Sequence, residues 1–339
     1  MTDLPEGLLT GAHAPSSWAA VGVARHELRQ TLGRREYRGR HAWAATDPSD
    51  PGQRALAVAS LLPDDAGAVG GWAAAFLLGV TTLDGTMPNG DPVDPLLCLP
   101  SSRRIRRPGV RVLRSELIDV DVVRLSKPSA ARVTSPLRTA FDLARTAASL
   151  PDAVCLLDAM ARHAVSPGDV AAYARGRPGW SGVRQVRRAA ALASSRTRSP
   201  AESRWRMLWQ LDAGLPPPLV NATVLDPDGR SVGEVDLLDA DLGLVGEYDG
   251  SPHSDAGARS VDAVKQENLE RAGLVVVRAT AVDVRERHRR RTVWRLRESA
   301  RRARALPRGD WTAVARPIPP LPLTPYTEWS VPSRHAGVS

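Results

Sequence analysis

The stretch GEVDLLDADLGLVGEYDGSPH, residues 233 to 253, sets three carboxylates, Asp236, Glu247 and Asp249, on or beside two short apolar runs. Side chains alternate along a strand, so Val245, Glu247 and Asp249 share a face, and the short DADLG turn makes the strand of Asp236 the antiparallel neighbour of the strand of Glu247. Three acids then converge on one patch of sheet, with no lysine or arginine in the stretch itself. Like charges held close raise one another's pKa unless a cation joins them. Oxygen ligands of this kind suit Mg2+ or Mn2+, which keep several waters and take phosphate oxygens as remaining ligands. Such an ion activates water and stabilises a phosphodiester in transit. His253 could orient the water or protonate the leaving oxygen, and Lys265 could hold the scissile phosphate. Each residue also has a structural explanation. Glu202 stands at the capping-box position of SPAESRWR, Asp249-Gly250 is a turn dipeptide, His253 can cap a turn, and Lys265 fits a solvated helix face.

The elements that must position these residues follow from period and punctuation. Ser199 and Pro200 open a helix running to about Asp212. VNATVLD, RSVGEVDLL and LVGEYDG read as three strands in a meander, GARSVDAVKQENLERAG as a helix, GLVVVRAT as a buried strand, and VDVRERHRRRTVWRLRESARRA as a long basic helix.

Upstream, residues 1–46 read as short helices followed by the basic hairpin GRREYRGRHAWAA, which is winged-helix order. Arg25, His26 and Arg29 on a recognition helix, with Arg34, Arg35, Arg38 and Arg40 on a wing, would face a duplex; Arg25, Arg29, Arg35 and Arg38 are the candidate nucleic-acid contacts. A small helical domain with a solvated arginine face explains them equally. Residues 52–150 read as a mixed α/β middle domain with strands at VDPLLCLP and GVRVLRSEL around the basic SSRRIRRPG. In TSPLRTAFDLARTA, Ser135 caps a helix on which Arg138 and Asp142 pair one turn apart. Residues 151–196 read as a helical linker, two helices joined by the turn-rich SPGD and GRPGW. Residues 307–339 read as a proline-rich disordered or loosely docked tail.

At 339 residues the chain has room for several cores. Its net charge of +9 is almost all arginine, Lys127 and Lys265 being the only lysines. Arginine at this level fits bidentate phosphate recognition, and fits equally a genome that writes arginine for any surface cation. Cys98 and Cys155 lie far apart and match no metal or redox spacing, which fits a reducing cytoplasm. The longest apolar run, AVGGWAAAFLLGV, is too short to span a bilayer. DNA is the expected partner, with no membrane; self-association into a homodimer is left open.

Residues 199 to about 285 resemble a domain related to the very-short-patch mismatch-repair endonucleases, within the PD-(D/E)XK nuclease superfamily. SPAESRWR, GEVDLLDADLGLVGEYDGSPH, VDAVKQENLERAG and LVVVRAT carry the resemblance. It implies a three-layer restriction-endonuclease-like fold with a mixed central sheet over 199–304, and metal binding by Asp236 and Glu247, with Glu202 assisting. The superfamily's third-strand lysine is replaced by Asp249, as in a subgroup that carries aspartate-glycine and then histidine, so Lys265, His253 or an arginine must supply the cation. Residues 1 to about 150 resemble antitoxin-like proteins of the AbiEi type, on element order and the TSPLRTAFDLA segment. Together the resemblances imply an α/β (α+β mixed) chain that is a metal-dependent DNA endonuclease. The alternative is a DNA-binding regulator of antitoxin type with a degenerate nuclease fold, and an RNA-directed nuclease is a third reading.

Overall fold

The computed structural model describes residues 4–64, 66–87, 89–126, 130–163, 165–250 and 256–325. The chain is mixed α/β, with eleven α-helices and three sheets among the described residues. It divides into two compact units: the described residues of 1–147, 163–191 and 321–325 form one, and those of 148–162 and 192–320 the other. Residues 1–46 and 52–147 thus share a unit, and the segment expected as a linker, 151–196, is divided between the two.

The first unit opens with α1 (Pro15–Ala19), α2 (Arg25–Glu27) running into a π-helical turn (Leu28–Leu32), and the hairpin of β1 (Gly33–Tyr37) and β2 (Arg40–Trp43). Gly39 turns that hairpin at φ +77°, a conformation glycine adopts without strain. Trp18 and Leu28 are buried in its small core. After α3 (Pro51–Ala59) come β3 (Ala68–Gly70), α4 (Gly71–Leu77), β4 (Leu96–Leu99), β5 (Arg111–Arg114), β6 (Val122–Arg124), β7 (Arg132–Thr134) and α5 (Pro136–Thr146). The five strands order as β5-β4-β3-β7-β6, parallel at β3–β7 and β4–β5 and antiparallel elsewhere. The Ser135 hydroxyl caps α5, and Arg138 pairs with Asp142 as the spacing requires, but Arg138 is wholly buried and also meets Asp121 at 2.9 Å. In this unit the turn-rich SPGD begins a helix, α7 (Pro167–Arg175), rather than a turn. Ser166 accepts bonds from the Gly168 and Asp169 amides and Pro167 sits at the first position, a start signal that reads like a turn when the following alanines are discounted. Helix α8 (Val183–Leu192) follows.

In the second unit, α6 (Leu150–Ala161) packs on α9 (Pro200–Met207) through the buried Arg206–Asp158 pair at 2.7 Å. The order then runs α9, β8 (Leu219–Leu225), β9 (Ser231–Asp239), β10 (Leu244–Asp249), α10 (Ala256–Arg271), β11 (Val275–Thr280), α11 (Arg289–Ala305), as the sequence periods require. One strand was not expected: β12 (Thr312–Val314) pairs antiparallel with β8 and extends the sheet to β11-β10-β9-β8-β12. The expectation of a disordered tail is corrected for these residues. Trp311 is buried beside the strand and anchors it, whereas three residues ahead of a proline run show no period in the sequence. Residues 326–339 lie outside the described residues.

Trp205, Trp209 and α11's Leu296 and Ala300 pack on one face of this sheet with Leu237, Leu244 and Val277. Leu269 of α10 and Trp311 cover the other face with Ala222, Val235, Leu238 and Val245. Gly246 is where the tryptophans approach closest: a Cβ there would stand 3.0 Å from Trp205 Nε1 and 3.1 Å from Trp209 Cζ3. Gly246→Val is therefore expected to cost about 1–3 kcal/mol by overpacking, read as a lower denaturant midpoint with unchanged slope. A midpoint at the parent's value would contradict this packing.

Candidate active site

The β9–β10 register joins Asp239 to Leu244, Leu238 to Val245 and Leu237 to Gly246, and its continuation sets Asp236 opposite Glu247. Alternation breaks at this point. On β9, Val235 and Leu238 both belong to the α10 face; on β8, Val220 faces the tryptophans while Ala222 faces α10. The switch lies at Asp236 and at Asn221, whose φ of +48° is unusual for a residue other than glycine. Asn221 Nδ2 donates to the Arg196 carbonyl at 2.7 Å and to Glu202 Oε2 at 3.2 Å, which offsets the cost of that backbone. The kink frees the Asp236 carboxylate from the alternating pattern, and its Oδ2 accepts the Tyr248 amide hydrogen at 2.7 Å.

Glu247 is held from α10. Lys265 Nζ donates to Glu247 Oε2 at 3.1 Å and lies 3.0 Å from Oε1. The lysine stem reaches there across Gly233, where a Cβ would sit 3.1 Å from Lys265 Cγ. Glycine at that position on β9 opens the path. Glu247 Oε1 is buried and, although ion-paired, has no hydrogen bond aligned on it.

Burial dominates the electrostatics. It pushes the Glu247 carboxyl up to about 7, with Lys265 opposing and Asp236 adding to the rise. Asp236 is raised chiefly by burial, against the Tyr248 amide, with Glu202 adding to the rise and Lys265 and Arg198 opposing it. Glu202 is engaged at both oxygens: Oε1 accepts from Ser199 Oγ at 3.0 Å, and Oε2 from the Arg198 amide at 2.8 Å and from Asn221. It closes the capping box and adds negative potential to Asp236 without an open oxygen. Arg198 itself pairs with the exposed Glu234.

The structure brings Asp236, Glu247 and Lys265 together, with Glu202 beside them. Asp249 is exposed at the end of β10 and does not join them in a three-carboxylate cluster; among the described residues no group of three or more histidine, cysteine or acidic side chains forms one. His253 lies outside the described residues. The cation missing from the strands comes from the next helix: it is Lys265, one of the candidates named from the sequence, although spacing along the strands alone does not single it out. Asn221 and Gly233 escaped sequence reading as well, because an asparagine and a glycine in strands look like weak strand formers until their neighbours are placed.

In the first unit, Arg25, Arg29, Arg35 and Arg38 are all exposed. Arg34 and Arg40 are not available in the same way. Arg34 bonds Glu36 and the Thr46 carbonyl, and Arg40 bonds the Ser60 and Gly39 carbonyls.

Compared with known family models, curated proteins and solved structures, the chain matches none. Among the described residues no helix is long and apolar enough to cross a membrane.

Proposed function

We propose that the second unit is a divalent-metal-dependent DNA endonuclease of the PD-(D/E)XK kind. The observation that carries this reading is the Asp236–Glu247 pair on adjacent strands, both partly buried, with one lysine from the flanking helix in direct contact. Lys265 is the one ammonium in direct contact, with Arg278 and Arg198 acting from farther off, and burial still outweighs these cations, so both carboxyls are reluctant to ionise without a further cation. Mg2+ held by one or two carboxylates, waters and substrate phosphate oxygens fits that set, and the unaligned Glu247 Oε1 is a ready ligand atom. Asp236 and Glu247 would hold the ion, which when bound supplies an activated water and charge stabilisation on the phosphodiester.

The chain's own residues do the rest. The Tyr248 amide fixes the rotamer of Asp236. Lys265 favours the ionised form of Glu247, and its ammonium, about a quarter exposed, is the group able to reach a phosphate oxygen at the mouth of the site. Asp249, standing where the superfamily carries lysine, and His253 are assigned no step. Winged-helix-like contact by Arg25, Arg29, Arg35 and Arg38 would hold the duplex, in the cytoplasm. Incubation of supercoiled plasmid with the protein and Mg2+ or Mn2+ is expected to give nicked or linear product that EDTA prevents.

A second reading is favoured by the ion pair itself. Lys265 already occupies one side of Glu247, so the fold could serve as a non-catalytic module of a DNA-binding regulator. Duplex binding with no cleavage under any divalent ion would select that reading.

The two differ in pH behaviour. If ionised Glu247 is a ligand, protons and Mg2+ compete for it, so at subsaturating Mg2+ parent activity falls as pH drops below neutral. Lys265→Ala removes the group that lowers this pKa, so the acid limb is expected to move up by about one unit or more, read from initial rates between pH 6 and 9. Lys265→Arg is expected to move it less. A limb unchanged in Lys265→Ala would remove Lys265 from the site.

A further inference from the structure

The first unit contains a cleft of about 450 Å³ built from two segments distant in sequence. Arg35, Glu36, Tyr37 and Arg38 of the hairpin line one side, and Arg106, Arg107 and Pro108, from the loop between β4 and β5, line the other. All four arginines are exposed, and none forms an ion pair with a described residue. The acid in the cleft is already neutralised: Glu36 Oε1 accepts from Arg34 Nε at 2.8 Å and from Nη2 at 2.5 Å. Arg107 Nη1 donates to the Arg106 carbonyl at 3.1 Å, which steadies the loop and leaves the other arms of its fork open. Glycines at positive φ, Gly39 and Gly109, shape the two turns.

Four guanidinium groups around one concavity repel unless an anion lies between them, and a guanidinium fork matches phosphate oxygens in a bidentate way. A chain phosphate also fits the walls, since Tyr37, whose hydroxyl burial pushes up to about 12, offers a neutral edge for a sugar.

We propose that this cleft binds backbone phosphates of a DNA duplex, with Arg106 and Arg107 as phosphate contacts opposite the hairpin's Arg35 and Arg38. The inference rests on the reading that the first unit contacts DNA and does not depend on cleavage.

The test is fluorescence anisotropy of a labelled 20-base-pair duplex with the full chain in EDTA, at several salt concentrations. Arg106→Ala/Arg107→Ala is expected to weaken binding about tenfold at moderate salt and to lower the slope of log affinity against log salt by about 2. The control is Arg184→Ala/Arg188→Ala, an equal charge change on exposed residues of α8 in the same unit; its slope should stay within about 0.5 of the parent's. Circular dichroism confirms that each variant is folded. If the parent binds duplex but the loop pair changes neither slope nor affinity, the cleft is overturned while the first unit's contact with DNA stands. An equal loss in the control reduces the effect to net charge and likewise overturns the cleft. No binding by the parent overturns both, and tighter binding to an RNA duplex of the same sequence overturns the choice of DNA.

Discussion

Asp236→Asn or Glu247→Gln is expected to reduce Mg2+-dependent plasmid cleavage by about a thousandfold or more, while duplex affinity in EDTA stays within about twofold of the parent. Loss of one of two ligand carboxylates removes several kcal/mol of transition-state stabilisation, which is the size of that fall. A change in stability of the opposite sign should accompany it. The folded-state pKa of Glu247 is raised to about 7, above its usual 4.5. Its protonated form therefore suits the fold at low pH, and that contribution is lost as pH rises through about 7. At pH 8 without metal, the parent carries a buried carboxylate that the folded state would rather protonate, and Glu247→Gln does not. The variant should be the more stable of the two at pH 8, by about 1–3 kcal/mol, with the gap narrowing as pH falls below about 7 and closing near pH 4.5. A group kept at a cost to stability fits a site held for chemistry. Equal stability at pH 8, or cleavage at the parent's rate, would contradict this assignment.

Arg138→Ala is expected to be the most destabilising single change in the first unit, by roughly 3–5 kcal/mol. Arg138 is wholly buried, ion-paired to Asp121 at 2.9 Å and to Asp142 at 2.8 Å, with further bonds to Ser115 Oγ and the Glu116 carbonyl. The guanidinium also stacks on Trp180, 4.9 Å from the ring centroid. Burial works against its charge, but Asp142 outweighs it and the side chain stays cationic. Truncation would leave two carboxylates under the surface; Asp142 would retain Arg145 at 2.6 Å, and Asp121 would keep the Tyr173 hydroxyl. Arg138→Met combined with Asp121→Asn should recover part of the loss, since the uncompensated charge and not the missing pair is what costs most. Denaturant melts followed by circular dichroism provide the measurement. A loss under about 1 kcal/mol for Arg138→Ala would show that the network is not what holds this unit.

Much of the second unit was legible because its signals are local. Ser199-Pro200 starts a helix, the DADLG turn sets an antiparallel pair, and the apolar VVVRAT run reads as buried strand. The same local rules placed the strand of Asp236 beside that of Glu247, and the register that sets the two opposite each other comes from the structure. They also read Arg138 and Asp142 as a pair one turn apart, but could not show Asp121 arriving from the 3-10 turn just before β6. Alternation along LVGEYD placed Asp249 on the Glu247 face, yet the site closes on Lys265 instead, because the helix after β10 returns over Gly233 and delivers its side chain from above the sheet. Nothing in the local pattern gives that crossing. The parity switch at Asn221 was hidden for the same reason: it depends on how two strands share a kink. Strand β12 shows the limit of period as a signal, since three residues anchored by a single tryptophan carry almost none.

The measurement closest to the central claim is the location of a bound ion. In crystals soaked in Mn2+, an anomalous difference peak is expected about 2.1 Å from one carboxylate oxygen of Asp236 and one of Glu247, lost in Glu247→Gln. A peak elsewhere, or none while Glu247 remains closed on Lys265, would contradict a metal-dependent nuclease.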